Sequence, residues 1–92
     1  MKISFDPIKR EKTLNERGLD FLDAPVIFDG AVYEFEDTRM DYLEKRMIAV
    51  GHLVGRMVIV GYVQRGDSTH IFSMRKANER EVKKYQEQFE ES

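Results

Sequence analysis

Apolar and polar residues alternate in short bursts along this chain, and most bursts end at a turn signal. Lys2 to Phe5 (KISF) alternates over four residues and reads as an edge strand. Asp6-Pro7 then has the chemistry of a helix start, because the Asp side chain accepts from free backbone N–H groups and Pro fits the first helical position. That helix is expected to run to about Arg17, with Gly18 as its left-handed stop. Its apolar stripe is thin (Ile8, Leu14), which predicts a surface helix dependent on tertiary contacts. Asp20 to Phe28 (DFLDAPVIF) has helical spacing but is interrupted by Pro25, so a short or broken helix is expected.

After the Asp29-Gly30 turn, Ala31 to Glu36 (AVYEFE) alternates again, and a polar loop follows to Asp41. Leu43 to Leu53 reads as a long strand, turned at Val54-Gly55 into the strand at Arg56, whose residues Met57 to Val63 are dominated by apolar and β-branched types. A second turn at Gly66-Asp67 leads into Ile71, Phe72 and Met74, and that run closes on Arg75 and Lys76. Asn78 with Glu81 three residues on is a capping-box variant, and Val82, Tyr85 and Phe89 share one helical face behind it. The order β-α-α-β-β-β-β-α predicts an α+β domain spanning residues 1–92. Its antiparallel sheet should have about four strands, with N-terminal helices and a C-terminal helix laid on one face. The other face or its rim is then left for function.

Composition narrows the class. Ninety-two residues support one core with little room for a deep cavity. The 35% charged and 41% hydrophobic content fits a globular chain rather than a disordered tail. Absence of cysteine removes disulfides and thiol nucleophiles and agrees with a reducing compartment. No apolar run reaches membrane-span length and no signal-like segment opens the chain, so a cytoplasmic location with no membrane partner is expected. The net charge of −2 conceals an asymmetry: residues 39–76 carry seven Lys/Arg against three Asp/Glu, between two acidic ends. A local anion site suits that distribution better than general nucleic-acid binding, which usually goes with a higher pI.

Several chemistries drop out. His52 and His70 stand eighteen residues apart without cysteines or carboxylates at ligand spacing, so no metal is expected. No phosphate-cradling or dinucleotide glycine pattern is present, and no cofactor is expected. What remains is a basic set around the second hairpin, Arg65, His70, Arg75 and Lys76, joined by Arg46 and by Glu44 as a nearby carboxylate. Metal-free RNA cleavage needs a base for the 2′-OH, cations for the charge building on phosphate, and an acid for the leaving oxygen. Arginine suits the middle task, and histidine titrates near neutrality. Each residue also has a plainer reading: His70 as an ordinary strand residue, Glu44 and Arg46 as a surface pair. Strand alternation adds a constraint. His70 and Lys76 share one parity while Ser73 and Arg75 share the other, so gathering them requires a bulge or an early strand end.

The chain resembles the BrnT-type ribonuclease toxins of bacterial type II toxin–antitoxin systems over nearly its full length. The resemblance rests on FDPIK (Phe5 to Lys9), NERGLDF (Asn15 to Phe21), Val26–Phe28, EKR (Glu44 to Arg46) before Gly51, Arg65-Gly66-Asp67, and FSMRKANEREVKKY (Phe72 to Tyr85). The last of these is the most specific. The chain departs from the family pattern with Arg17 in place of His, His70 in place of Arg, and Met74 in place of Ala. The resemblance implies a compact fold similar to the RelE toxins, cleavage of RNA, and neutralisation by a small ribbon-helix-helix antitoxin whose complex with the toxin binds operator DNA. It points to Arg65, Arg75 and Lys76 as the first candidates for the cleavage site, then Glu44 and Arg46. The reading is therefore an endoribonuclease acting on RNA by 2′-OH attack without metal, with His70 as acid or base and Glu44 as base. Two alternatives stand beside it: an inactive toxin-like module that works through an antitoxin-like protein, and a nucleic-acid binder that does not cleave.

Overall fold

A computed structural model describes residues 1–90; residues 91 and 92 of the expected domain lie outside the described residues. The chain is α+β, with a single five-stranded sheet in the order β1-β5-β4-β3-β2. The strands are β1 (Lys2–Phe5), β2 (Tyr33–Glu36), β3 (Met47–Leu53), β4 (Arg56–Arg65) and β5 (Ser68–Lys76). The helices are α1 (Pro7–Arg17), α2 (Ala24–Asp29) and α3 (Glu79–Glu90).

Local signals produce the expected elements. The Asp6 carboxylate accepts from the Ile8 N–H at 2.9 Å, and Gly18 ends α1 at φ 70°. Asn78 and Glu81 exchange side chain–backbone hydrogen bonds of 2.8 and 3.0 Å, the reciprocal cap that starts α3. Pro25 does not break its helix. A 3-10 turn, Phe21–Asp23, precedes it, and Pro25 stands in the first turn of α2, where its missing N–H has no bond to lose.

The sheet departs from expectation in three ways. It has five strands and is mixed, because β1 adds to β5 in parallel, Lys2 opposite Ser68 through Phe5 opposite Ile71. A parallel neighbour needs a crossover, so no local sequence pattern announces it. The strand expected from Leu43 begins at Met47, and residues 43–46 belong to an irregular loop.

The helices also lie on both faces. Leu19, Phe21, Ala24 and Ile27 bury one face with Ala49, Val58, Val60, Tyr62, Ile71 and Met74. On the other, Val82, Tyr85 and Phe89 of α3 pack over Tyr33, Phe35, Ile48, Val50, Met57 and Ile59. Strands buried on both sides need apolar residues at both parities, which is why β4 reads MVIV without alternation. Because α3 packs towards β2 and β3, the same face over β5 and the end of β4 stays open.

Candidate functional site

Register decides which side chains reach that open face. Through Val60 and Gly61, β4 pairs with Met74 and Ser73; at Tyr62 the partner becomes Ile71. Phe72 is therefore an extra residue, a bulge that reverses alternation beyond it. Ile71 and Met74 both enter the core in spite of their opposite parity. His70, Ser73 and Arg75, opposite Val63, Gly61 and Ile59, all lie on the face that carries α3. Lys76 lies opposite Val58, whose side chain is buried under α2, so Lys76 projects from the other face.

The cations do not form the single cluster expected at the hairpin rim. Arg65 stands at the tip end of β4, and Arg75 lies opposite Ile59, six positions back. At the usual rise per strand residue the two are about 20 Å apart. Arg65 holds Glu44 bidentately, Nε to Oε2 at 2.9 Å and Nη2 to Oε1 at 2.8 Å, and both side chains are about half exposed. Arg75 holds Glu81 of α3 through two hydrogen bonds of 2.7 Å. That pair pulls Glu81 down to about 2. Glu44 is likewise held below its ordinary value, first by the Arg65 hydrogen bonds.

Between these ends stands Arg46. Its guanidinium lies 4.3 Å from the Tyr42 ring centre and 4.8 Å from that of Phe72, and among the described residues it has no carboxylate ion pair. Stacking fixes its plane and leaves N–H donors for an anion. The loop that carries Glu44 and Arg46 is anchored by Asp37, a buried carboxylate. Asp37 accepts from Arg39 Nε and Nη2 at 2.9 and 2.8 Å and from the Tyr42 hydroxyl at 3.2 Å, and its N–H donates to the Arg46 carbonyl at 2.9 Å.

His70 is partly buried, and its Nδ1 shares a 2.9 Å hydrogen bond with Ser4 Oγ on β1. Burial, with Arg65 and then Lys9 adding to it, holds the imidazole below its ordinary value, and Glu44 and Asp6 oppose the shift without overcoming it. The ring is thus neutral at pH 7. Either neutral tautomer fits that bond: Ser4 Oγ donates to Nδ1 when Nε2 carries the proton, and accepts from Nδ1 in the tautomer whose Nε2 lone pair can take a proton.

Residues that the sequence reading did not assign to the site complete the surroundings. Lys9 and Lys12 of α1 approach Phe72 and Ser73 across a groove of about 210 Å³. Lys9 lies within the FDPIK motif, the one signal that pointed to it. Phe72 could not be placed by alternation, because a bulge set its direction. Among the described residues, no three His, Cys, Asp or Glu side chains come together as metal ligands do, and no helix is long and apolar enough to cross a membrane.

No curated protein matches the chain. The family model of the ribonuclease toxin BrnT of type II toxin–antitoxin systems matches residues 5–81, which takes in α1, the whole of the hairpin and the capping box of α3. The chain belongs to the BrnT family of ribonuclease toxins, with RNA as the substrate and an antitoxin as the partner that membership implies.

Proposed function

We propose that the protein is an endoribonuclease that cleaves RNA without a metal ion, on the open face of the β4–β5 hairpin, and that a ribbon-helix-helix antitoxin neutralises it. The observation that carries this reading is the gathering of His70, a stacked Arg46 and the exposed Arg65–Glu44 pair on one face of the sheet. His70 Nε2 takes the proton of a 2′-OH. The 2′ oxygen forms a bond to the adjacent phosphorus, and the bond from phosphorus to the 5′ oxygen breaks. That oxygen leaves with a proton from solvent water, giving a 2′,3′-cyclic phosphate and a 5′-hydroxyl end.

Arg46 and Arg65 hold the phosphate as its charge grows. An exposed ion pair is worth only about 0–1 kcal/mol, so a phosphate can take the place of Glu44 on Arg65. Glu44, held low by Arg65, is a weaker base than the imidazole in this arrangement. Arg75, on the same face, is placed for a phosphate further along the strand. Lys76 points elsewhere and has no part in the step.

The test is purified protein on labelled RNA with a chelator in excess. Cleavage that persists and leaves cyclic phosphate ends is the expected result; cleavage that needs added metal overturns the mechanism. The closed Arg65–Glu44 and Arg75–Glu81 pairs favour a second reading, an inactive module acting through its antitoxin. Intact RNA under all conditions, with tight antitoxin binding, would establish it.

A further inference from the structure

β1 ends opposite Ile71, so from Phe72 onward β5 has no strand on that side. α1 takes its place, and Arg17 Nη1 donates to the Met74 carbonyl at 3.0 Å, satisfying an acceptor on the free edge. The groove left between helix and strand holds about 210 Å³. Lys9 and Lys12, three residues apart and so on one side of the helix, form one wall with Thr13, Glu16 and Arg17 further along, and Phe72 and Ser73 form the other. Both lysines are exposed, and neither has a carboxylate partner among the described residues. Phe72 is there because of the bulge, only partly buried. His70, one strand position beyond Ile71, feels the Lys9 charge.

Two cations facing an aromatic ring across a narrow groove match what a single-stranded nucleotide presents: an anionic phosphate and a flat π-face. A duplex keeps its bases stacked within the helix and cannot offer one to a ring set in a groove. We propose that this groove binds the nucleotide flanking the scissile phosphate of a single-stranded RNA, with Lys9 and Lys12 on its phosphate and Phe72 against its base. The proposal rests on the ribonuclease reading and adds to it a subsite and a preference for single strands.

The experiment measures binding of a fully 2′-O-methylated RNA oligonucleotide, which lacks the attacking hydroxyl, by fluorescence anisotropy across a salt series. Wild type is compared with Lys9→Gln/Lys12→Gln, Phe72→Leu and the α3 control Lys83→Gln. The double lysine variant is expected to flatten the slope of log affinity against log salt by about 0.7, the share of the one single-strand phosphate contact it removes. Phe72→Leu is expected to weaken binding about tenfold with the slope unchanged. Lys83→Gln should behave as wild type. Should Phe72→Leu fail to fold in a thermal melt, the lysine variant, altered only at exposed positions, still decides. If wild type cleaves unmodified RNA while the lysine variant binds with wild-type affinity and slope, the subsite is refuted and the ribonuclease reading survives. If wild type neither binds the oligonucleotide nor cleaves its unmodified counterpart, the ribonuclease reading falls first and the subsite with it.

Discussion

The ring of Phe72 lies over the backbone of Gly61, so close that a Cβ on residue 61 would stand 2.7 Å from two of its atoms. Glycine at 61 is thus what lets the bulged residue lie down beside Arg46. Gly61→Ala forces that ring and the Ser73 hydroxyl to move, an overpacking cost of about 1–3 kcal/mol. Urea unfolding should show the loss, and RNA cleavage should fall with it. An unchanged midpoint would mean that the ring has room to spare.

The state of His70 can be read without any activity. Its imidazole is held below the ordinary 6.5, first by burial and then by the Arg65 charge. Arg65→Gln removes a cation that disfavours the imidazolium and frees Glu44, which favours it, so the midpoint must rise. NMR titration of His70 in the two proteins checks this. A His70 midpoint at or above 6.5 in the wild type contradicts the assignment of His70 as the base.

Register separates two neighbouring cations. Arg65 shares the open face with His70, whereas Lys76 projects from the opposite one. Arg65→Ala should lower the cleavage rate by about 10²-fold, the usual effect of losing one donor to a developing oxyanion, and Lys76→Ala should stay within about twofold of wild type. The reverse order in a single-turnover assay would falsify the proposed placement of the site.

Acid stability should carry the mark of Glu81. Arg75 holds this carboxyl at about 2, against an ordinary value of 4.5 that the unfolded chain restores. The unfolded state therefore binds more protons across that interval. The stabilisation is present above about pH 4.5 and is lost as pH falls towards 2. Asp37 and Asp20, also held low by arginines, act in the same direction. Glu81→Gln should flatten the fall in stability over this range. If its acid unfolding curve has the wild-type slope, the pair is not closed in solution.

One turn is open to improvement. Val54 has φ 50° and Gly55 φ 76°, both left-handed, and Val54 is fully exposed. A β-branched residue is strained in that conformation, and Asn tolerates it. Val54→Asn should raise the unfolding free energy by about 1 kcal/mol, roughly the cost of a left-handed L-residue. A lower melting temperature would show that the strain lies elsewhere.

What the sequence determined by itself was local. Asp6-Pro7, Gly18, the turn tips at Val54-Gly55 and Gly66-Asp67, and the Asn78–Glu81 cap each act within a few residues, so each could be read in order along the chain. The family resemblance was legible too, because its motifs are contiguous.

The tertiary structure decided what depends on residues far apart. β1 beside β5 joins positions 66 apart, and the turn of the chain onto α3 sends that helix to the face opposite α2. A single bulge at Phe72 then shifts the parity on which any alternation reading depends. It brings His70 to the face of Ser73 and Arg75 and leaves Lys76 on the other, while the hairpin's register keeps Arg65 and Arg75 at opposite ends. Strand partners and their register are set by long-range burial and hydrogen bonding, and a residue's own neighbours in sequence do not contain that information.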